Sequence, residues 1–243
     1  MNIATIILTY NEQEKIGDFL GGLPKYCDPI VLDDSTDNTR SIALSAGARV
    51  ITIPELPRGY LGAKYISALK YANDLGYKYA VTTDAGDNFD PRWIDYLLMA
   101  ADGADMVIAQ RRFLEMTPRR INSNIASFAM SLLGARFKDA TCGLRLYDLT
   151  RIDYNTIAET AHAFQMEMLV RMHHKGCKIN TTTIPYRSPT TSTLKANTYA
   201  DWFRVYVALW REYNAPHFCR SVSIRSQVRP VRELLEVDSR SGL

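Results

Sequence analysis

The sequence predicts one α/β domain in which a mostly parallel sheet is flanked by helices. Short β-branched runs alternate with amphipathic segments, a pattern typical of parallel strands joined by right-handed helical crossovers. Apolar residues make up 47% of the 243 residues, which is enough for one core of that size. Polar residues follow several of the runs, at the sheet edge where such folds bind ligands.

The predicted elements are regular in the first half of the chain and less so in the second. Strands are predicted at residues 3–8, 29–32, 49–52, 78–82, 105–109 and 179–184. Helices are predicted at residues 12–23, 36–46, 60–75, 91–101, 121–134, 161–175 and 197–213. We expect residues 1–200 to form the domain, and residues 201–243 to add a C-terminal amphipathic helix and a basic tail.

Charge and cysteine content exclude several classes of protein. The net charge is only +3, from 29 basic and 26 acidic residues, which argues against a nucleic-acid partner. No uninterrupted apolar run approaches the roughly 18 residues of a membrane-spanning helix. The four cysteines form no C-x-x-C pair, so the sequence indicates a reduced, cytoplasmic chain without a zinc site.

Polar motifs follow the first, second and fourth predicted strands. The first, residues 9–12, has the form of a helix capping box, although Tyr10 and Glu12 could also hold a ligand. The second, residues 33–39, opens with two adjacent carboxylates that could accept hydrogen bonds from a base or a ribose. The third, residues 84–91, carries three carboxylates within seven positions. Such an oxygen-rich turn suits Mg²⁺ or Mn²⁺, and its simpler interpretation is an acidic turn that caps the next helix.

In this order and spacing, the motifs resemble those of glycosyltransferase family 2. Within that family, they are most similar to the dolichol-phosphate mannosyltransferase-like, polyprenyl-phosphate sugar transferases. The D-D-x-S-x-D-x-T loop corresponds to residues 33–39, the Gly-rich helix start to 58–63, and the D-x-x-S-G-F-R segment to 139–145. The resemblance covers about residues 3–200 and implies the GT-A fold. It also implies an inverting transfer of a sugar from a UDP- or GDP-linked donor.

The resemblance also implies roles for individual residues. The predicted nucleotide-sugar-binding residues are Tyr10, Glu12, Asp33, Asp34, Gly62, Arg187 and Lys195. The predicted catalytic residues are Asp84, Arg111, Asp139 and Arg145. The expected cofactor, Mg²⁺ or Mn²⁺, would bind Asp84 together with Asp87 or Asn88, because Gly86 stands where many family members have a second Asp.

A basic segment suggests which kind of molecule accepts the sugar. Residues 109–138 contain six basic residues and one acidic residue, and arginine binds phosphate through forked hydrogen bonds. We therefore expect Arg112, Arg119 and Arg120 to hold the phosphate of a polyprenyl phosphate, unless the segment is only a solvated basic face. An ionised phosphate needs no general base. If the acceptor is a saccharide hydroxyl, Asp139 is the candidate base.

Two apolar helices raise the question of membrane contact. Residues 121–134 carry no charge and follow Arg119 and Arg120, and residues 197–213 are also strongly apolar. Both could lie on a bilayer surface, or pack into the core or a homodimer interface. We expect a cytoplasmic protein with peripheral contact at the inner face of the membrane.

Two competing hypotheses accompany the glycosyltransferase prediction. A sugar-1-phosphate nucleotidylyltransferase has a similar nucleotide-binding sheet, but places a G-x-G-T-R loop where this chain has residues 9–12. A non-catalytic nucleotide-sugar binding module is favoured only by Gly86. Fold alone does not separate these classes.

Overall fold

The computed structural model describes residues 2–53, 56, 60–85, 89–113, 117–158, 161, 163–186 and 196–214. The strands are β1 Ile3–Thr9, β2 Cys27–Asp33, β3 Arg49–Ile51, β4 Tyr79–Asp84, β5 Met106–Phe113, β6 Arg145–Asp148 and β7 Ile179–Tyr186. The α-helices are α1 Ile16–Gly21, α2 Thr39–Ser45, α3 Leu61–Asp74, α4 Ile94–Met99, α5 Pro118–Leu132, α6 Phe164–His174 and α7 Ala196–Asn214.

The seven described strands form one sheet in the order β3-β2-β1-β4-β6-β5-β7. All neighbours are parallel except β6, which runs antiparallel to β4 and β5. The prediction of a mostly parallel α/β sheet is confirmed. The sequence did not predict β6, because all four of its residues are buried and no alternation of polar and apolar side chains marks it.

The strand order brings the polar motifs together. Strand β1 lies between β2 and β4. From β1 the chain adds β2 and β3 on one side and then adds β4 on the other, so the strand order reverses at β1. Ligands of open parallel sheets bind at such a reversal. The register pairs Thr9 with Asp33 and Leu8 with Asp84, which places both acidic motifs beside the end of β1.

The helix start after β1 differs from the capping-box prediction. Thr9 is the last residue of β1, and its hydroxyl donates to the Asp33 carboxylate at 2.9 Å. Helix α1 begins only at Ile16, so Thr9 does not cap it and the capping-box interpretation is wrong. The simpler interpretation of residues 84–91 holds for Asp90, whose carboxylate accepts from the Arg92 backbone N–H at 2.9 Å and caps the helical turn at Pro91–Trp93.

Helix α7 packs on the rest of the domain. Its Val205 and Leu209 are buried in the same core cluster as Leu69 of α3 and Met130 of α5. The expected domain boundary after residue 200 therefore falls inside a helix that shares the main core, and residues 215–243 lie outside the described residues. In the part of the chain that the structure describes, no helix is both long and apolar enough to cross a membrane.

Candidate active site

A cavity of about 230 Å³ opens at the carboxyl ends of the strands. Leu8 of β1, Asp84 of β4, Arg111 of β5 and Tyr186 of β7 reach it from the sheet. Residues of α3, α5, α6 and α7 complete its walls. The cavity thus lies where the sheet topology predicts a ligand site, and its polar lining brings a carboxylate and guanidinium groups into one space.

Asp84 ends β4 and presents its carboxylate to this cavity. The buried Tyr65 hydroxyl donates to its Oδ1 atom at 3.1 Å, and the Tyr65 ring stacks on Phe164 with centroids 5.1 Å apart. Burial, reinforced by the Asp84 charge, raises the pKa of Tyr65 well above its ordinary value, so its hydroxyl stays protonated and orients the carboxylate.

The chemistry of Asp84 fits a divalent cation. A carboxylate oxygen at a cavity wall is a ligand that Mg²⁺ and Mn²⁺ prefer. The candidates for a second ligand, Asp87 and Asn88, lie outside the described residues together with Gly86. Among the residues that are described, no group of three His, Cys, Asp or Glu side chains could hold a metal ion. Asp84 is therefore the one described member of the predicted metal site.

Arg111 and Asp139 form a buried ion pair. The Arg111 Nε and Nη2 atoms donate to the two Asp139 carboxylate oxygens at 2.7 and 2.6 Å, and the Arg111 backbone N–H adds a bond of 2.9 Å. The Ser123 hydroxyl donates to the same carboxylate. Burial acts to raise the pKa of Asp139, but hydrogen bonds and the charge of Arg111 outweigh it and hold the pKa below its ordinary value.

This environment disfavours the predicted general-base role of Asp139. A general base must take up a proton, and a carboxylate with a lowered pKa and several donors is poorly suited to do so. Asp139 also has φ +56°, in the left-handed region, so the surrounding contacts hold its backbone in an uncommon conformation. The Asp139 carboxylate holds the Arg111 guanidinium in place through these hydrogen bonds.

Arg145 lies in the core and not at the cavity wall. It is fully buried, and its guanidinium donates to the backbone carbonyls of Ala140, Cys142 and Gln165 at 2.5 to 2.7 Å. It is not among the described residues that line the cavity. These bonds connect residues 140–142 to the start of α6, and the described contacts do not support the predicted catalytic role.

Of the three arginines predicted to hold an acceptor phosphate, Arg119 alone lines the cavity. It donates to the Tyr186 hydroxyl, and the Arg111 guanidinium lies 5.2 Å from the centroid of the same ring. Arg112 is exposed on β5, and Arg120 is half-buried in the first turn of α5. Among the described residues, the cationic side chains that line the cavity are therefore those of Arg111 and Arg119.

The loops after β1 and β2 are hydrogen-bonded to each other. The Asn11 backbone N–H donates to the Ser35 hydroxyl at 2.8 Å, and the Asn11 side-chain oxygen accepts from the Thr36 backbone N–H at 2.9 Å. Asn11 has φ +55°, a conformation that asparagine tolerates better than most residues. Asp33 is nearly buried and accepts from the Ser35 hydroxyl at 2.5 Å, so it shapes this pair of loops from inside.

The remaining predicted donor-site residues surround these loops. The Asp34 carboxylate is paired with the ammonium of Lys64, a residue of α3 that is 2% exposed. Tyr10 is 38% exposed, Glu12 is half-buried, and Gly62 is buried in the first turn of α3. Arg187 and Lys195 lie outside the described residues.

Sequence reasoning missed four residues of this region: Lys64, Tyr65, Gln165 and Tyr186. Lys64 carried a usable signal, because it is a charged residue on the helix face that otherwise holds small and apolar side chains. The other three became relevant only through contacts with distant parts of the chain.

Comparisons with known proteins agree with this architecture. The model of glycosyl transferase family 2 matches residues 5–158. An undecaprenyl-phosphate mannosyltransferase from Micrococcus luteus is 33% identical over 196 residues, which cover 74% of this chain and 81% of that protein. A dolichyl-phosphate hexose transferase from Haloferax volcanii is 32% identical over 196 residues, covering 76% of this chain and 83% of that protein.

A solved structure supports the fold. Glucosyl-3-phosphoglycerate synthase from Mycobacterium tuberculosis, in complex with Mn²⁺ and UDP-glucose, superposes with a TM-score of 0.67. Its sequence is 19% identical, and the superposition covers 88% of this chain and 79% of that chain. The family resemblance is confirmed, and it favours sugar transfer over the nucleotidylyltransferase and binding-module hypotheses. The chain belongs to glycosyl transferase family 2 and is a glycosyltransferase with the GT-A fold.

Proposed function

We propose that this glycosyltransferase moves a hexosyl group from a UDP- or GDP-linked sugar to a polyprenyl phosphate. The observation that carries the proposal is the cavity, in which Asp84 faces the same space as Arg111 and Arg119. A carboxylate site suits a cation with a diphosphate, and a pair of guanidinium groups suits a second phosphate. The two relatives named above, whose names specify undecaprenyl and dolichyl phosphate, support this acceptor class.

The donor would lie along the ends of β1, β2 and β4. Tyr10, Glu12 and the Asp34–Lys64 pair are the proposed contacts for base and ribose, with Asp33 supporting their loops. Asp84, with Asp87 or Asn88, would hold Mg²⁺ or Mn²⁺, which neutralises charge on the diphosphate leaving group. Gly62 would allow close approach at the start of α3, and Arg187 and Lys195 are proposed to contact the diphosphate.

The acceptor phosphate would be held by Arg111 and Arg119. One phosphate oxygen forms the new bond to the anomeric carbon, while the bond from that carbon to the donor diphosphate breaks and the nucleoside diphosphate leaves. Attack from the face opposite the leaving group inverts the anomeric configuration. No proton has to be removed, because a phosphate monoester is already ionised near neutral pH.

The same geometry disfavours a saccharide hydroxyl as the acceptor. A hydroxyl needs a base, and Asp139, the sequence-based candidate, is engaged by Arg111 and has a lowered pKa. Asp84 is the only carboxylate among the described residues that line the cavity. Using it as a base would compete with its proposed role at the cation.

A donor and acceptor screen tests the proposal. The purified chain is incubated with UDP- and GDP-hexoses, Mg²⁺ or Mn²⁺, and a short-chain polyprenyl phosphate, and products are identified by mass spectrometry. We expect a hexosyl polyprenyl phosphate that disappears on chelation of the metal and in Asp84→Asn. Transfer to an oligosaccharide but to no lipid phosphate would contradict the acceptor assignment.

Arg119→Gln tests the acceptor site separately. Loss of one charged phosphate contact should raise the KM for the lipid phosphate about tenfold or more, with the donor KM changed less than about twofold. The matched control is Arg49→Gln, which removes an exposed arginine from β3, the strand at the opposite sheet edge from β7. Equal changes in the KM of donor and acceptor would argue against this role for Arg119.

The proposed location is the cytoplasmic side of a membrane. A polyprenyl phosphate is embedded in a bilayer, while nucleotide sugars are dissolved in the cytoplasm. The chain would meet both as a peripheral protein, and the excess of basic residues in residues 109–138 supports attraction to anionic lipid headgroups.

A further inference from the structure

Helix α5 carries an exposed apolar row along its length. The row consists of Ile121, Ile125, Phe128 and Leu132, which are 46%, 60%, 66% and 55% exposed. At about 100° per residue, these four positions fall within about 60° of the helix circumference. Single exposed apolar side chains are common, but four in a continuous row mark a surface that binds something.

The opposite face of α5 packs against the rest of the domain. Ser123, Ala126 and Met130 are buried there. The helix therefore already packs into the core through one face, and the exposed row is a different face. Arg119, Asn122 and Ser123 of the same helix line the catalytic cavity. One helix therefore forms a wall of the active site on one side and an apolar surface on the other.

Charge around the row indicates what covers it. Helix α5 contains no acidic residue, and its first turn carries Arg119 and Arg120. Arg136 and Lys138, which follow the helix, are exposed. An apolar row with basic residues at both ends complements the boundary between acyl chains and anionic headgroups of a bilayer.

The neighbouring helix has a similar character. Helix α7 contacts α5, contributes Trp202 to the cavity, and exposes Tyr199, Phe203 and Trp210 on its surface. Side chains of both helices thus reach the cavity, and both helices also expose large apolar side chains. The exposed row and the cavity-lining residues of α5 therefore lie on opposite faces of one helix, which is roughly 10 Å across.

We propose that α5 is a membrane-docking helix whose exposed row inserts into the surface of an anionic bilayer. Docking would bring the cavity close to lipid phosphates in that bilayer. The biological purpose of docking rests on the proposed function, because only an acceptor embedded in a bilayer would require the enzyme to bind there. The docking itself is measurable without turnover.

Vesicle sedimentation of the full chain tests the docking. The variants are the double substitution Ile125→Ser with Phe128→Ser, and a control pair of Leu44→Ser on α2 with Met99→Ser on α4. The control residues are 51% and 81% exposed and lie outside α5 and α7. With vesicles of phosphatidylcholine and phosphatidylglycerol, we expect the α5 variant to bind at least about tenfold more weakly, and the control pair to bind as the wild type does.

Equal sedimentation of the wild type and the α5 variant would overturn the proposal. That result is expected if a second copy of the chain, or residues 215–243, covers the row instead of a bilayer. Light scattering separates these two occupants, because only a second copy gives a dimer that the α5 substitutions dissociate. Circular dichroism confirms folding, which substitutions at exposed positions should leave intact.

A transfer assay separates failure of docking from failure of the proposed function. With a short-chain polyprenyl phosphate in detergent, the α5 variant should keep its turnover within about twofold of wild type. With a long-chain acceptor in vesicles, it should lose at least about tenfold. If no lipid phosphate is glycosylated by any variant but vesicle binding still depends on α5, the proposed function fails and docking stands.

Discussion

The surroundings of Asp139 decide what its carboxylate can do. Its type and position suggest a base, but Arg111 and Ser123 occupy its oxygens with short hydrogen bonds. In a low-dielectric setting, this pairing stabilises both charges and removes the basicity that catalysis would need. The same carboxylate in a solvated loop would have been free to accept a proton.

Asp139→Asn should destabilise the fold by about 3 kcal/mol at neutral pH. The substitution leaves the Arg111 guanidinium buried without its counterion, and breaking a buried pair in this way is costly. Urea unfolding of wild type and variant measures the difference. The control is Asp74→Asn, which breaks an exposed pair with Lys70 and should change little.

The Arg111–Asp139 pair also predicts how the difference in free energy of unfolding between wild type and Asp139→Asn depends on pH. The pKa of Asp139 is lower in the folded chain than its ordinary value of 3.8, so the unfolded chain binds the proton more readily. The stabilisation is therefore fully present above about pH 4 to 5 and declines as the pH falls below the ordinary value. The difference in free energy of unfolding between wild type and Asp139→Asn should therefore be smaller at pH 3 than at neutral pH. A constant gap would contradict the assigned charge pair.

Gly143 is where a side chain would disturb the site directly. A Cβ atom there would lie 3.1 Å from the Gln165 side-chain nitrogen and 3.8 Å from Asp84 Oδ2. Gln165 would have to shift toward other groups of the cavity wall. A misplacement of about 1 Å near reacting groups can lower a rate on the order of a hundredfold, so the smaller shift required here should lower it less.

We therefore expect Gly143→Ala to lower kcat/KM by roughly twofold to tenfold, with little change in the free energy of unfolding. Gly21→Ala is the matched control, because nothing lies within 4 Å of a Cβ at that helical position. Steady-state kinetics and urea unfolding of the two variants measure both effects. Full activity in Gly143→Ala would show that the loop can accommodate a methyl group beside Asp84.

Among the elements, α7 shows two different faces. Leu209 is 1% exposed and belongs to the main core, whereas Phe203, six positions earlier, is 69% exposed. The Arg171 guanidinium of α6 also bonds to Glu212 of α7 at 2.9 Å, which adds a polar tie between the two helices. The helix is thus part of the catalytic domain, although its outer face remains apolar.

Leu209→Ala should lower the free energy of unfolding by about 2 to 4 kcal/mol, because it leaves a cavity in the core. Phe203→Ala on the same helix should change it by less than about 0.5 kcal/mol. Urea unfolding followed by tryptophan fluorescence and by circular dichroism measures both. If Leu209→Ala left the urea unfolding transition seen by circular dichroism unchanged, α7 would fold independently of the domain.

Across the whole molecule, charge is distributed in a way that the net value of +3 conceals. Acidic residues end β2 and β4, and Asp84 of β4 lines the cavity, which Arg111 of β5 and Arg119 of α5 also reach. The sheet order places β4 and β5 on either side of β6, so the two groups face a common space. This distribution of charge supports the proposed binding of two phosphorylated substrates in one cavity.

Much of the fold and part of the site could be predicted from the sequence. The parallel strands, the long helices and the three strand-end motifs were all recognisable, because periodicity and turn residues act over a few positions. The antiparallel β6 was missed, since its four buried residues carry no such pattern. Of the residues predicted for the site, Asp84 and Arg119 line the cavity, whereas Arg112 and Arg145 are not among its described lining residues.

The sequence by itself determined the fold class and the family, because both depend on local patterns and on the order of motifs along the chain. Only the tertiary structure decided which charged side chains face the cavity. Arg119 meets Tyr186, which is 67 positions away, and Asp34 meets Lys64, which is 30 positions away. Arg145 instead donates to backbone carbonyls inside the core. The role of each charge follows from partners that folding brings together, and no local pattern encodes them.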